Sequence, residues 1–140
     1  MRWVTWEDVG IDRIGCAWLI RRFIDPQAEF EFIPHGETRL PAGPEPFDIP
    51  GVRLSHRRGH STFHTILDEY GLDDPILRRI AQIVDEADTA QEVMLEPAAP
   101  GLDLICRGLR RTSPDDHVAF ERGHLIYDAL YAEIAADPAS

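Results

Sequence analysis

Three of the six histidines fall within nine residues, in His56-Arg57-Arg58-Gly59-His60-Ser61-Thr62-Phe63-His64. His60 and His64 are four apart. On a helix beginning near His60 both imidazoles would project from one face and could share one metal ion. His56, at the end of a preceding strand, could fold back as a third ligand. Neutral imidazoles favour zinc, iron, nickel or copper over magnesium. The pair lacks the glutamate beside the first histidine that a zinc protease of the HExxH type needs, so that chemistry is excluded. The competing reading is a set of solvated surface histidines flanking Phe63. A second group, Asp115-Asp116-His117, opens the last helix. Its acids suit a helix N-terminus. His117 shares a stripe with Phe120, His124 and Tyr127 and is expected to point inward, as a core residue or as a further metal ligand. His117 and His124 lie about 10.5 Å apart along a helix, too far for one small ion to take both. Asp85 and Asp88 sit near the end of their helix, where the dipole disfavours acids. They read as helix-terminating residues or as carboxylate ligands.

A third group is Asp12-Arg13-Ile14-Gly15-Cys16 with Arg21-Arg22. If Asp12 caps the helix, Cys16 lies in its first turns, where the dipole and Arg13 would lower a thiol pKa and make Cys16 a candidate nucleophile or electron donor. Its apolar neighbours point instead to an inert packing residue. Arg13, Arg21 and Arg22 are the candidate anion-binding residues, arginine being suited to planar, bidentate capture. The structural alternative pairs Asp12 and Arg13 with Arg22 and Asp25.

These groups must be positioned by a small fold. The chain has 140 residues, one domain's worth, and is long enough to bury a core without staples. Trp3–Trp6 is rich in strand formers. The near-continuous apolar run Ile14–Ile20 predicts a buried helix from Asp12 to about Ile24, stopped by Asp25-Pro26. Glu29–His35 alternates as a half-buried strand. Residues 36–51, with their glycines and prolines, read as loop, and Val52–His56 as a third strand. Helices follow from His60 to Tyr70, from Pro75 with the stripe Leu77, Ile80, Val84 and Ala87, over Leu102–Leu109, and from Ser113-Pro114 to near the end. Residues 89–101 read as loop. The order predicts an α+β fold: a small three-stranded sheet, one crossover helix, and a C-terminal layer of about four helices in a single domain, residues 1–140.

Charge narrows the partners. Fourteen basic against 25 acidic residues give −11. Such a chain repels phosphate backbones, which argues against nucleic acid, and attracts cations. All basic residues are arginine, so lysine Schiff-base chemistry and a P-loop lysine are absent. Two distant cysteines without a CxxC spacing exclude an all-cysteine zinc site and read as free thiols of a reducing compartment. No apolar run is long enough to span a membrane, and the N-terminus lacks a secretory apolar segment. The expectation is a cytoplasmic protein.

The stretch Asp12-Arg13-Ile14-Gly15-Cys16-Ala17-Trp18-Leu19-Ile20-Arg21-Arg22-Phe23-Ile24-Asp25 resembles the signature of the ChrB-type chromate-resistance proteins, in their C-terminal domain. The likeness continues through Pro46–Gly51, Tyr70–Pro75, Ala87-Asp88, Asp115–His117 and Tyr127–Tyr131. It implies a stand-alone form of a domain that longer members join to an N-terminal regulatory part. It implies proline before the tryptophan, where Ala17 stands, and acidic residues around positions 60 and 64, where this chain has histidine. One ligand-capable type then replaces another. Three expectations follow from the resemblance and the residues together. The first is a metal-binding accessory protein of a chromate or oxyanion stress response, holding one transition-metal ion (zinc, iron, nickel or copper) through His56, His60 and His64 with a carboxylate or His117. The second is a redox or hydrolytic enzyme acting on a small oxyanion through the metal or Cys16. The third is an effector-sensing module, marked by self-association into a homo-oligomer or by a partner surface.

Overall fold

A computed structural model describes residues 1–137. The architecture is α+β: a small three-stranded parallel sheet, a crossover helix and four further helices. β1 (Arg2–Trp6) is central. β2 (Glu29–Ile33) pairs with it in the register Trp3 to Phe30 and Thr5 to Phe32. β3 is only Glu45–Pro46, pairing Trp3 with Glu45 and Val4 with Pro46. The sequence placed the third strand later, at Val52–His56. That segment makes a single bridge, Leu54 to Phe47, while the loop stretch supplies the strand. Proline is tolerated there because β3 is a sheet edge.

α1 (Ile11–Leu19) crosses from β1 to β2 and ends in a π-helical turn, Ile20–Ile24, closed by Asp25 N–H on the Ile20 carbonyl at 2.7 Å. It is buried on nearly every side, as its composition required. The remaining helices are α2 (Thr62–Glu69), α3 (Pro75–Asp88), α4 (Ala98–Thr112) and α5 (Asp116–Ala136). α4 starts four residues before the expected Leu102. Pro100 and Gly101, which read as breakers, lie in its first turn, where a missing N–H costs nothing. The core centres on Trp18, stacked on Tyr127 with ring centroids 5.4 Å apart and on Phe63 at 6.3 Å, and anchored by its indole N–H on Asp128 at 2.7 Å. Tyr127 donates to the Ile11 carbonyl at 2.8 Å, fastening α5 to the start of α1. Among the described residues no helix is long and apolar enough to cross a membrane.

Candidate functional site

The chemistry gathers at the N-terminus of α2. A helix start leaves backbone N–H groups without intrahelical partners, and here two buried carboxylates from other helices satisfy them. Asp12 accepts from the N–H groups of Thr62 and Phe63, each at 2.9 Å. Asp85 accepts from the Ser61 N–H at 2.8 Å and its hydroxyl at 2.7 Å. Ser61 is itself the cap of α2. Asp12 was expected to cap its own helix. α1 instead starts from Gly10, and Asp12, in its first turn, caps α2 across the core.

On the Asp12 side, two more carboxylates, Asp48 and Asp88, and the imidazole of His56 arrive from separate parts of the chain. Asp48, in the turn after β3, takes the left-handed conformation (φ 53°), which aspartate tolerates better than most residues. Its Oδ1 accepts the Thr62 hydroxyl at 2.6 Å. The Thr62 proton is thereby committed, so His56 Nδ1, 3.1 Å from the Thr62 hydroxyl oxygen, faces it as a donor. His56 Nε2 donates to Asp88 at 2.9 Å and lies 3.6 Å from Asp12. Both ring nitrogens therefore face acceptors, an arrangement that favours the protonated ring. Asp48 and Asp88 raise its pKa to about 10. Burial, and then the neighbouring charges of Asp48 and Asp88, push the Asp12 carboxyl well above the usual range.

These groups floor a cavity of about 510 Å³ that also touches Trp6, Arg13, His35 and Arg110. Its place follows from the sheet order β2-β1-β3. The chain leaves β1 to one side for β2, and β3 lies on the other, so the order reverses at β1. A crevice opens beyond the carboxyl ends of β1 and β3, the usual ligand position in open parallel sheets.

On the Asp85 side, His60 and His64 stack with ring centroids 3.9 Å apart. Their Nδ1 atoms lie 2.6 and 3.1 Å from one oxygen, Asp85 Oδ2. Asp85 is fully buried, whereas the rings are part-exposed beside a cavity of about 340 Å³ formed with Arg57, Arg58, Thr65 and Asp68. Among the described residues, two separate groups each bring their ligand-type atoms within 4.8 Å of one another: His60, His64 and Asp85 form one, and Asp12, Asp48 and His56 the other.

The sequence profile described as "ChrB, C-terminal domain" matches residues 3–134. The chain belongs to this family. It is 31% identical over 136 residues to "Protein ChrB" of Cupriavidus metallidurans, covering 96% of this chain and 41% of that protein. The ChrB C-terminal domain described here thus spans about two-fifths of that relative's length. No solved structure matches.

Within this ChrB C-terminal domain the histidines expected to act together are divided. His60 and His64 share Asp85, and His56 joins the crevice carboxylates. His117 is exposed, its ring edge-on to Phe32 at 4.8 Å, rather than turned inward. The inward histidine of α5 is His124, whose pKa burial, and then Arg21, lowers to about 4. The three arginines are engaged separately. Arg13 donates to the Asp48 carbonyl at 3.0 Å and lies 3.3 Å from its carboxylate. Arg21 donates to the Ala28 carbonyl and covers the Phe30 ring. Arg22 makes a two-pronged pair with Asp128. Asp48 as a site residue, and the contact of Asp12 with the start of α2, escaped the sequence reading, which had left Asp85 open as a carboxylate ligand or a helix terminator. The one signal available was the awkward placing of Asp85 and Asp88 against the α3 dipole.

The expected lowering of the Cys16 pKa is reversed. Burial raises it well above normal, and Asp12, whose oxygen accepts the thiol proton at 3.4 Å, adds to that. Burial also pushes Cys106 up to about 12. Neither thiol of the native protein should react with Ellman's reagent at mildly alkaline pH, and both should react in denaturant. Prompt native labelling of Cys16, judged by comparison with Cys16→Ser, would refute this.

Proposed function

We propose that this domain is a metal-binding accessory of chromate resistance, holding one transition-metal ion through His60, His64 and Asp85. The observation that carries the reading is the convergence of two imidazole nitrogens on a single oxygen of a fully buried carboxylate. An ion would replace the protons now held between them. Two nitrogens and one oxygen suit zinc, iron, nickel or copper. Three protein ligands leave open positions, and the adjoining cavity offers room for water or a small ligand there. The charge of −11 favours a cation over a free oxyanion, and the separate engagement of Arg13, Arg21 and Arg22 points the same way. The link to chromate rests on membership of the ChrB family.

Protein purified without an affinity tag, and analysed by inductively coupled plasma mass spectrometry and calorimetric titration, should hold one zinc, iron, nickel or copper ion per chain. His60→Ala/His64→Ala should lose about tenfold or more in affinity, the least that disturbing a metal's ligand environment usually costs. Sub-stoichiometric metal that is unchanged in the double variant would end the proposal.

A further inference from the structure

We propose that the crevice at the carboxyl ends of β1 and β3 is a second cation site, in which Asp12, Asp48, His56 and Asp88 bind a hard divalent cation of the manganese or magnesium class.

Four separate parts of the fold deliver these ligands. Asp12 comes from the first turn of α1, Asp48 from the turn after β3, His56 from the segment before α2, and Asp88 from the last residue of α3. Convergence over such sequence distances is unlike a solvated acidic surface. Asp12 and Asp48 are almost completely buried. Burying carboxylates side by side is costly unless a positive charge lies among them. His56 lies among them, its ring nitrogens 2.9 Å from Asp88, 3.4 Å from Asp48 and 3.6 Å from Asp12. A bound cation would replace a proton now shared between the ring and these carboxylates, with His56 as a neutral ligand beside them. Arg13 neutralises part of Asp48 from the outer side.

The donors differ from those of the His60–His64–Asp85 group. Three carboxylates and one imidazole are predominantly hard oxygen ligands, which suit manganese, magnesium or calcium over the later transition metals. The ligands approach from the floor of a cavity of about 510 Å³, so an ion held there keeps an open face toward the crevice. That is the arrangement of a site that presents its ion to solvent or to a small ligand. Asp12 and Asp85 cap consecutive N–H groups of α2, so the two sites flank the same helix start without sharing a ligand.

The proposal stands independently of the transition-metal site, and one experiment separates them. Manganese(II) is titrated into the full chain and followed by electron paramagnetic resonance and by water-proton relaxation. The proteins are wild type, Asp88→Asn, His56→Gln and His60→Ala/His64→Ala, each with its fold verified by circular dichroism. Asp88 and His56 are part-exposed, so their replacement leaves the core intact. We expect saturable binding of one ion, with enhanced relaxation from its retained waters. Affinity should fall about tenfold or more in Asp88→Asn and in His56→Gln and stay the same in the His60/His64 variant. Absence of saturable binding in wild type would overturn the proposal. So would unchanged affinity in either crevice variant, or loss in the His60/His64 variant.

Discussion

Asp85→Ala is expected to lower the thermal midpoint of the metal-free protein by about 10 °C, the largest loss from any one carboxylate. The reason is what the side chain holds. Asp85 sits among Ile80, Ala81, Ile83 and Val84 on the buried face of α3 and is itself fully buried. One oxygen takes both the N–H and the hydroxyl of Ser61, and the other takes His60 and His64. Alanine leaves the two Ser61 donors without partners in a region closed to water. Orphaned buried groups cost about 1–3 kcal/mol each, and the entry to α2 loses its anchor, so a total of about 3 kcal/mol is expected. For a domain of this size each kcal/mol corresponds to about 3–4 °C. Asp85→Asn keeps an acceptor for Ser61 and should lose roughly half as much. Calorimetry of chelator-treated protein checks both. A midpoint shift of only a degree or two in Asp85→Ala would show that α2 starts without this anchor.

The same residue illustrates what the sequence could and could not reveal. The i,i+4 spacing of His60 and His64 is a local signal, and the structure keeps the two rings together even though α2 begins at Thr62, after His60. Their partner lies 21 residues beyond His64. Only its poor fit to the helix dipole hinted at a separate purpose. α1 was legible because an apolar run buried on all sides has few other solutions. Asp12 was legible as a capping residue, but periodicity does not say which helix comes to rest against it. Asp48 lies in a proline-rich turn with no periodicity, and its direction is set by a left-handed backbone that composition does not encode. The inward placing of His117 failed for a related reason. A helical stripe predicts a shared face over the middle of a helix, and α5 emerges from the core at its first turn, where Asp116 instead caps the backbone of Asp8 and Val9.

Gly123→Ala should destabilise the protein by about 2 kcal/mol, although helix propensity alone predicts a gain. Alanine is favoured over glycine inside a helix by about 1 kcal/mol, and Gly123 is well inside α5. At this point, however, α5 rests directly on α1. A Cβ on Gly123 would collide with Cγ2 of Ile14, and one on Gly15 would come 2.7 Å from the Tyr127 hydroxyl oxygen. Two glycines, one on each helix, set the close approach, and overpacking such a contact costs about 1–3 kcal/mol or somewhat more. Gly108 in α4 provides the control, since a Cβ there meets nothing within 4 Å. Gly108→Ala should stabilise by up to about 1 kcal/mol. The cause can be isolated by a double-mutant cycle with Ile14→Ala, which removes the colliding methyl. The double variant should be more stable than the sum of the single effects predicts. Strict additivity in urea denaturation would place the cost elsewhere. The contact also bears on the crevice. Ile14 is one residue from Arg13 and two from Asp12, so a displaced α1 carries both crevice residues with it. Gly123→Ala should therefore weaken manganese binding as well as stability, whereas Gly108→Ala should change stability alone.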